Sequence, residues 1–227
     1  MKPYATTHGT FSTPRGRSVT LTYREDTNDY NTLRSCLDED EYRLRDLRLT
    51  GTALDIGAHI GGVTVALLVD NPELRVVAVE AVPPNVELLR ENLERAGVAE
   101  RVTILRAAAG KGRTATIRWG FAGDEVADHH AFIGNALLAP SATHLSEKVP
   151  VVKLADLVTE HGPFSFAKVD CEGCEFDFLR GTALAQVALI RGEVHADPAP
   201  LMGTLGRTHD TRFPHQIPGA FEAVRRG

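Results

Sequence analysis

Residues 53–62 read A-L-D-I-G-A-H-I-G-G, and an acidic residue, Glu80, closes the next strand-like run, R-V-V-A-V-E, about one βαβ unit downstream. A short apolar strand that ends in an acid, turns on glycine and enters a helix points to an open α/β sheet. Such sheets hold their ligands beyond the carboxyl ends of the strands. Asp55 ends the first strand, and Gly57 and Gly61 supply a turn in which backbone approaches a ligand that a Cβ would exclude. The helix after Gly61 aims its free N–H groups at the same place. The glycine spacing, G-x-x-x-G, is informative. A dinucleotide turn is G-x-G-x-x-G, whose middle glycine lets a pyrophosphate touch the backbone; His59 stands in that slot. The pattern therefore favours a ligand without phosphates. Glu80, at the tip of the second strand, suits the two hydroxyls of a ribose. S-adenosylmethionine, a ribose nucleoside with a carboxylate tail and no phosphate, fits both demands.

With 227 residues, the chain is long enough for one well-buried domain, and 43% hydrophobic against 24% charged residues is ordinary for a globular one. A net charge of −5 gives no footprint for gripping a phosphate backbone, so nucleic acid is not an expected partner. The longest mostly apolar run, Val63 to Val69, falls far short of the roughly 20 residues a membrane helix needs, and the first residues lack the apolar core of a signal peptide. Three cysteines without an export signal read as reduced thiols in a cytoplasmic protein.

Along the chain, G-T-F-S and R-S-V-T-L-T-Y flank the turn Thr13-Pro14-Arg15-Gly16, which predicts a lid hairpin preceding the sheet. Leu33, Leu37, Leu44, Leu47 and Leu49 at roughly helical spacing predict one or two amphipathic helices over 31–49. Then come a strand through Leu54–Asp55, a helix over 61–69 and a strand over 75–80. A helix follows, opened near Pro84 and stopped by Gly97, and then a strand over 102–106. The stretch from Gly110 to Pro150 breaks the alternation with a strand T-A-T-I-R-W and a loop rich in Gly, Asp and His, before the strand V-P-V-V-K and a helix. Insertions of this kind carry specificity in α/β folds. Strands over 166–170 and 187–195, a short helix after Pro198 and two closing strands finish the chain. The division is an extension over 1–50 and a ligand-binding domain over 51–227.

The second constellation is K-V-D-C-E-G-C-E, Lys168 to Glu175, which sets Asp170 and Glu172 at a strand tip in the same crevice as Asp55 and Glu80. Here the sequence resembles the FkbM family of S-adenosylmethionine-dependent methyltransferases. The resemblance runs through T-N-D with Asp29, D-E-Y with Tyr42, D-I-G-A-H-I-G, V-E-A-V-P-P-N, the A-A-A-G after residue 106, K-V-D-C-E-G-C-E and E-V-H. His59 stands where the family more often has Asn, and Cys171 and Cys174 fall at variable positions.

The resemblance implies an α/β, class I methyltransferase fold, Rossmann-like, with a seven-stranded mainly parallel sheet, helices on both faces and an N-terminal hairpin and helix. It implies S-adenosyl-L-methionine as cofactor. Asp55, Gly57 and Gly61 would hold its methionine end, Glu80 its ribose, and Ala107 and Ala108 would border the adenine. Tyr42, Ala58, His59, Ala81, Asn85 and Asp170 complete the cofactor-binding set.

Methyl transfer from a sulfonium needs alignment and, for an alcohol acceptor, a base. Asp170, Glu172, Glu193 and His195 are the candidates, with Asp170 and His195 first; Glu193 and His195, two apart, would share a strand face. The same groups suit a divalent metal, but their spacing is not that of a dedicated cage, and no metal is expected. Cys171-x-x-Cys174 also opens thioredoxin-like redox sites, yet such a fold leaves the glycine turn and Glu80 unexplained. His129 and His130, beside Asp124, Glu125 and Asp128, read as a solvated loop, and Trp119 as a packed core edge. The expected reaction is O-methylation of a small molecule, a sugar or secondary metabolite. N-methylation of a peptide or amine is the alternative, and a non-catalytic nucleoside-binding protein a more distant one.

Overall fold

The computed structural model describes residues 4–119, 132–133, 145–213 and 219–227. The hairpin strands β1 (Thr6–Ser12) and β2 (Ser18–Arg24) come first, then helix α1 (Asp29–Leu37). The first βαβ unit is β3 (Gly51–Ile56), α2 (Gly62–Asp70) and β4 (Leu74–Glu80), followed by α3 (Pro83–Arg95) and β5 (Val102–Arg106). Four short strands follow: β6 (Ala108–Ala109), β7 (Thr114–Trp119), β8 (Phe132–Ile133) and β9 (Leu145–Val152). The rest is α4 (Leu154–His161), β10 (Phe164–Val169), α5 (Glu175–Phe178), β11 (Leu189–Glu193), α6 (Ala199–Leu205), β12 (His209–Arg212) and β13 (Ala220–Arg225).

Seven strands form the central sheet in the order β12-β13-β11-β10-β3-β4-β5. The run from β11 to β5 is parallel, and β13 and β12 close it antiparallel. Parallel strands buried on both faces read as near-continuous apolar runs. Here Ala53, Val76 and Ala78 pack on one face against α2, α3 and the hairpin, while Leu54, Ile56, Val77 and Val79 pack on the other against α4, α5 and α6. The strand order reverses between β3 and β10, and such a switch point leaves a crevice at the carboxyl edge.

The insertion strands make a separate four-stranded sheet, β6-β9-β7-β8, where Trp119 packs with Ile117, Val149, Ala81 and Ala108. His129, His130, Asp124, Glu125 and Asp128 lie outside the described residues.

Two expectations are corrected. The helices over 31–49 reduce to α1 alone, because Asp40 and Arg43 take left-handed backbone (φ 54° and 53°) and the Asp40 carboxylate accepts the N–H groups of Leu44 and Arg45. A side chain that competes for backbone donors ends a helix. The strand expected over 187–195 stops at Glu193, so Glu193 and His195 do not share a strand face. Thr13 Oγ1 donates to Asp70 at 2.8 Å, and Asn92 exchanges hydrogen bonds with the backbone of Thr22 (2.7 and 3.0 Å), which docks the hairpin on the ends of α2 and α3.

Candidate active site

A cleft of about 270 Å³ opens at the carboxyl ends of β3, β4 and β10. Its floor is the turn after β3. Gly57 takes φ 74°, and a Cβ placed there would lie 1.8 Å from the Asp170 carbonyl oxygen, so glycine is required by close packing of two strand ends. His59 is also left-handed, at φ 50°, a region that Asn and His enter more readily than most side chains. That backbone geometry accounts for His where the family more often has Asn. Gly61 (φ 100°) starts α2, and an added Cβ there would meet Leu89 at 2.8 Å; it is a packing residue below the cleft, not part of its wall.

Glu80 ends β4 with its carboxylate gripped by the N–H of His59 (2.8 Å), the N–H of Val82 (2.8 Å) and Asn85 Nδ2 (3.4 Å). Burial raises its pKa, and these donors oppose the rise. A carboxylate fixed this way faces the cleft with lone pairs left for a ligand hydroxyl. Behind it stands a network that the sequence did not announce. Arg24, at the end of β2, makes a bidentate pair with Asp29 (2.7 and 2.8 Å) and donates to Asn85 Oδ1 (2.8 Å), with His59 Nε2 at 3.4 Å. Burial alone would raise the Asp29 carboxyl, but the guanidinium outweighs it and holds the pKa below the ordinary value.

Lys168, on β10, is the second hidden group. Its buried ammonium donates to Gly57 O (2.7 Å) and Ile56 O (3.2 Å), and lies 3.7 Å from both Asp55 Oδ1 and Asp170 Oδ2. Burial works against the charge, but Asp170 and Asp55 more than compensate and raise the lysine pKa. Asp55 is fully buried, accepts from Thr64 Oγ1 at 2.6 Å and supports the turn from beneath the cleft. Tyr42 donates its hydroxyl to Asp170 Oδ2 at 2.8 Å and is held protonated by burial and by Asp170.

Of the expected site residues, Tyr42, Gly57, Ala58, His59, Glu80, Ala81, Asn85, Ala107, Ala108, Asp170, Glu172 and Glu193 all line the cleft. His195 stands behind it, with Nε2 3.4 Å from Glu172 and 3.8 Å from Asp170. Its Nδ1 lies 3.1 Å from Glu175 Oε1, which also accepts from the N–H groups of Cys171 and Gly173. Asp170, Glu175 and His195 each bring one ligand-type atom within 4.8 Å of the others. Lys168 and Glu175 were visible in the K-V-D-C-E-G-C-E motif, and Glu41 in D-E-Y, but without roles; a hairpin arginine such as Arg24 carries no sequence signal of this kind.

Cys171 and Cys174 form a disulfide, which corrects the expectation of three reduced thiols; Cys36 is free and buried. The reason is local. The turn through Glu172 (φ 55°) and Gly173 (φ 100°) brings the two Cα atoms to 5.5 Å, within bridging range.

A family model described as the methyltransferase FkbM domain matches residues 55–215. The chain belongs to the FkbM methyltransferase family. No curated protein matches the sequence. Solved structures share the fold at low identity. Precorrin-6y C5,15-methyltransferase from Geobacter metallireducens GS-15 is 12% identical, covering 95% of this chain and 94% of that one with a TM-score of 0.50. TrmN from Thermus thermophilus is 16% identical, with 91% and 55% covered and a TM-score of 0.53. A putative rRNA-methylase from Clostridium thermocellum is 9% identical, with 84% and 94% covered and a TM-score of 0.52.

This FkbM methyltransferase uses S-adenosylmethionine. The residues present fit such a molecule by their chemistry: the cleft offers a fixed carboxylate, Glu80, small apolar walls at Ala81, Ala107 and Ala108, and polar groups of α1 and the glycine turn opposite. Among the described residues, no helix is long and apolar enough to cross a membrane.

Proposed function

We propose that this FkbM methyltransferase methylates a hydroxyl group of a small molecule. The carrying observation is the charge of the cleft wall. Asp170, Glu172 and Glu193 project into it, whereas Lys168 is buried between two aspartates and His195 is engaged by three carboxylates. A polynucleotide acceptor requires free cations for its phosphates, because phosphate contacts dominate affinity for nucleic acid. This wall offers carboxylates, which suit a neutral acceptor with O–H or N–H donors. When bound, S-adenosylmethionine supplies a methyl group already activated by its sulfonium. The chain's part is then to hold the donor, align the acceptor and take its proton.

The same geometry supports an assignment of roles. Glu80, Asn85 and His59 would hold the ribose, Ala107 and Ala108 the adenine, and Gly57, Ala58, Tyr42 and Asp170 the methionine end. Incubating the protein with methyl-tritiated S-adenosylmethionine and, separately, a small-metabolite extract, total RNA and a peptide digest tests the reading. Label is expected in the metabolite fraction as an alkali-stable ether. Label confined to RNA or peptide would overturn it.

A further inference from the structure

A second cavity, of about 190 Å³, opens between the loop at 39–43 and the paired strands β11 and β13. Glu41, Tyr42 and Glu193 line both this cavity and the cofactor cleft, so the two meet at those side chains. Most polar groups of the second cavity are already engaged. Glu39 pairs with Arg34 at 2.6 Å, and Asp40 accepts from the loop backbone. Arg191 donates to Glu222 at 2.6 Å and to the carbonyl oxygens of Tyr42 and Arg43; Arg43 lies 3.3 Å from Glu222. The Tyr42 hydroxyl belongs to Asp170. The carboxylates of Glu41 and Glu193 remain, each residue partly buried and its side chain without a hydrogen-bond or ion-pair partner among the described residues.

We propose that Glu41 and Glu193 are the acceptor-binding pair, gripping a small, non-anionic polyol through its O–H or N–H donors where the two cavities meet, and that one of them receives the proton of the hydroxyl being methylated. The inference rests on the O-methylation reading above. Two carboxylates with open lone pairs and, among the described residues, no free cation beside them select a ligand that brings the donors itself, and they repel phosphate or carboxylate groups. The volume is below the roughly 300–1,000 Å³ of drug-sized sites, which points to one small ring rather than a polymer. In the transfer, the acceptor O–H bond breaks as its O–C bond forms. The C–S bond breaks with its electron pair on sulfur, and the proton passes to the carboxylate. Burial first, and then the nearby Asp170, raise the pKa of both glutamates, which brings them closer to the range useful for accepting a proton.

The test uses the full chain loaded with S-adenosylhomocysteine and three probes on one skeleton: glucose, glucosamine and glucuronate, followed by saturation-transfer NMR. Glucosamine is expected to bind best, glucose more weakly and glucuronate least. Glu41→Gln and Glu193→Gln should each weaken glucosamine about tenfold and flatten the ranking, while S-adenosylhomocysteine affinity, read by calorimetry, stays within about twofold. Glucuronate binding as well as glucosamine, no probe binding at tens of millimolar, or an unchanged ranking in the variants would overturn the proposal. So would loss of S-adenosylhomocysteine binding in Glu41→Gln, which would make Glu41 a cofactor ligand. Failure of the wild type to bind S-adenosylhomocysteine would instead count against the cofactor cleft. Label on nitrogen in the transfer assay would count against O-methylation alone.

Discussion

Glu175 Oε1 sits 3.1 Å from His195 Nδ1, and the carboxylate is wholly buried. The hydrogen bond to Glu175, with Glu172 and Asp170 adding to it against the opposing effect of burial, lifts the imidazole pKa to about 9. A pKa of about 9 favours the imidazolium at neutral pH, the form that serves as a counter-charge to Glu172 and Asp170 beside it.

That state has a pH signature. The folded-state pKa lies above the ordinary 6.5, so the stabilisation is complete below pH 6.5 and disappears as pH rises through about 9. Thermal melts of the wild type are expected to fall in Tm across that window, and those of His195→Gln to change less. A wild-type imidazole titrating near 6.5 by NMR would refute the pairing.

Glu80→Gln should weaken S-adenosylhomocysteine binding. The substitution replaces one acceptor oxygen by an amide that faces the N–H of either His59 or Val82, and a hydrogen bond to a charged group is worth about 1.5–3 kcal/mol. Calorimetry should show a loss of about ten- to a hundredfold. Equal affinity in a folded variant would remove Glu80 from the cofactor site.

Gly57→Ala should damage the fold as well as the binding. The new Cβ would meet the Asp170 carbonyl at 1.8 Å, on top of about 1–2 kcal/mol for the left-handed backbone. Urea denaturation is expected to show destabilisation beyond that backbone cost, since β3 and β10 must separate to make room. A variant of wild-type stability would show that the strand ends are not in contact.

Lys168→Met leaves Asp55 and Asp170 facing each other without their shared cation. Removing one partner of a buried ionic group typically costs about 3–5 kcal/mol. Urea denaturation at pH 7 should show a loss of that order, partly recovered at acid pH as the carboxylates protonate. A loss insensitive to pH would mean that lysine acts by packing over the Tyr42 ring, 5.5 Å away.

The β3–α2–β4 unit was legible because its evidence is local: apolar runs of strand length, an acid at each tip and glycines where the turn needs them. The 38–50 loop imitates a helix in sequence because Leu44 and Leu47 do pack against the core at roughly helical intervals, and only the hydrogen bonds of Asp40 show that they arrive there by turns. Arg24 was invisible for a different reason. Its partners come from positions 29, 59 and 85, so its role exists only once three elements meet. Glu41 was hidden by its neighbour: the motif drew attention to Tyr42, while the position of Glu41 depends on a cavity the sequence does not display.

The bond from Arg24 Nη2 to Asn85 Oδ1 ties the hairpin to the residues that carry Glu80. Phe11, Leu21, Leu33 and Leu37 also fill the core layer shared with α2 and α3. The first fifty residues are therefore not a detachable appendage. An engineer who grafted residues 51–227 onto another protein would leave an apolar face wet and Asn85 without its anchor. The smallest transplantable unit begins before the hairpin.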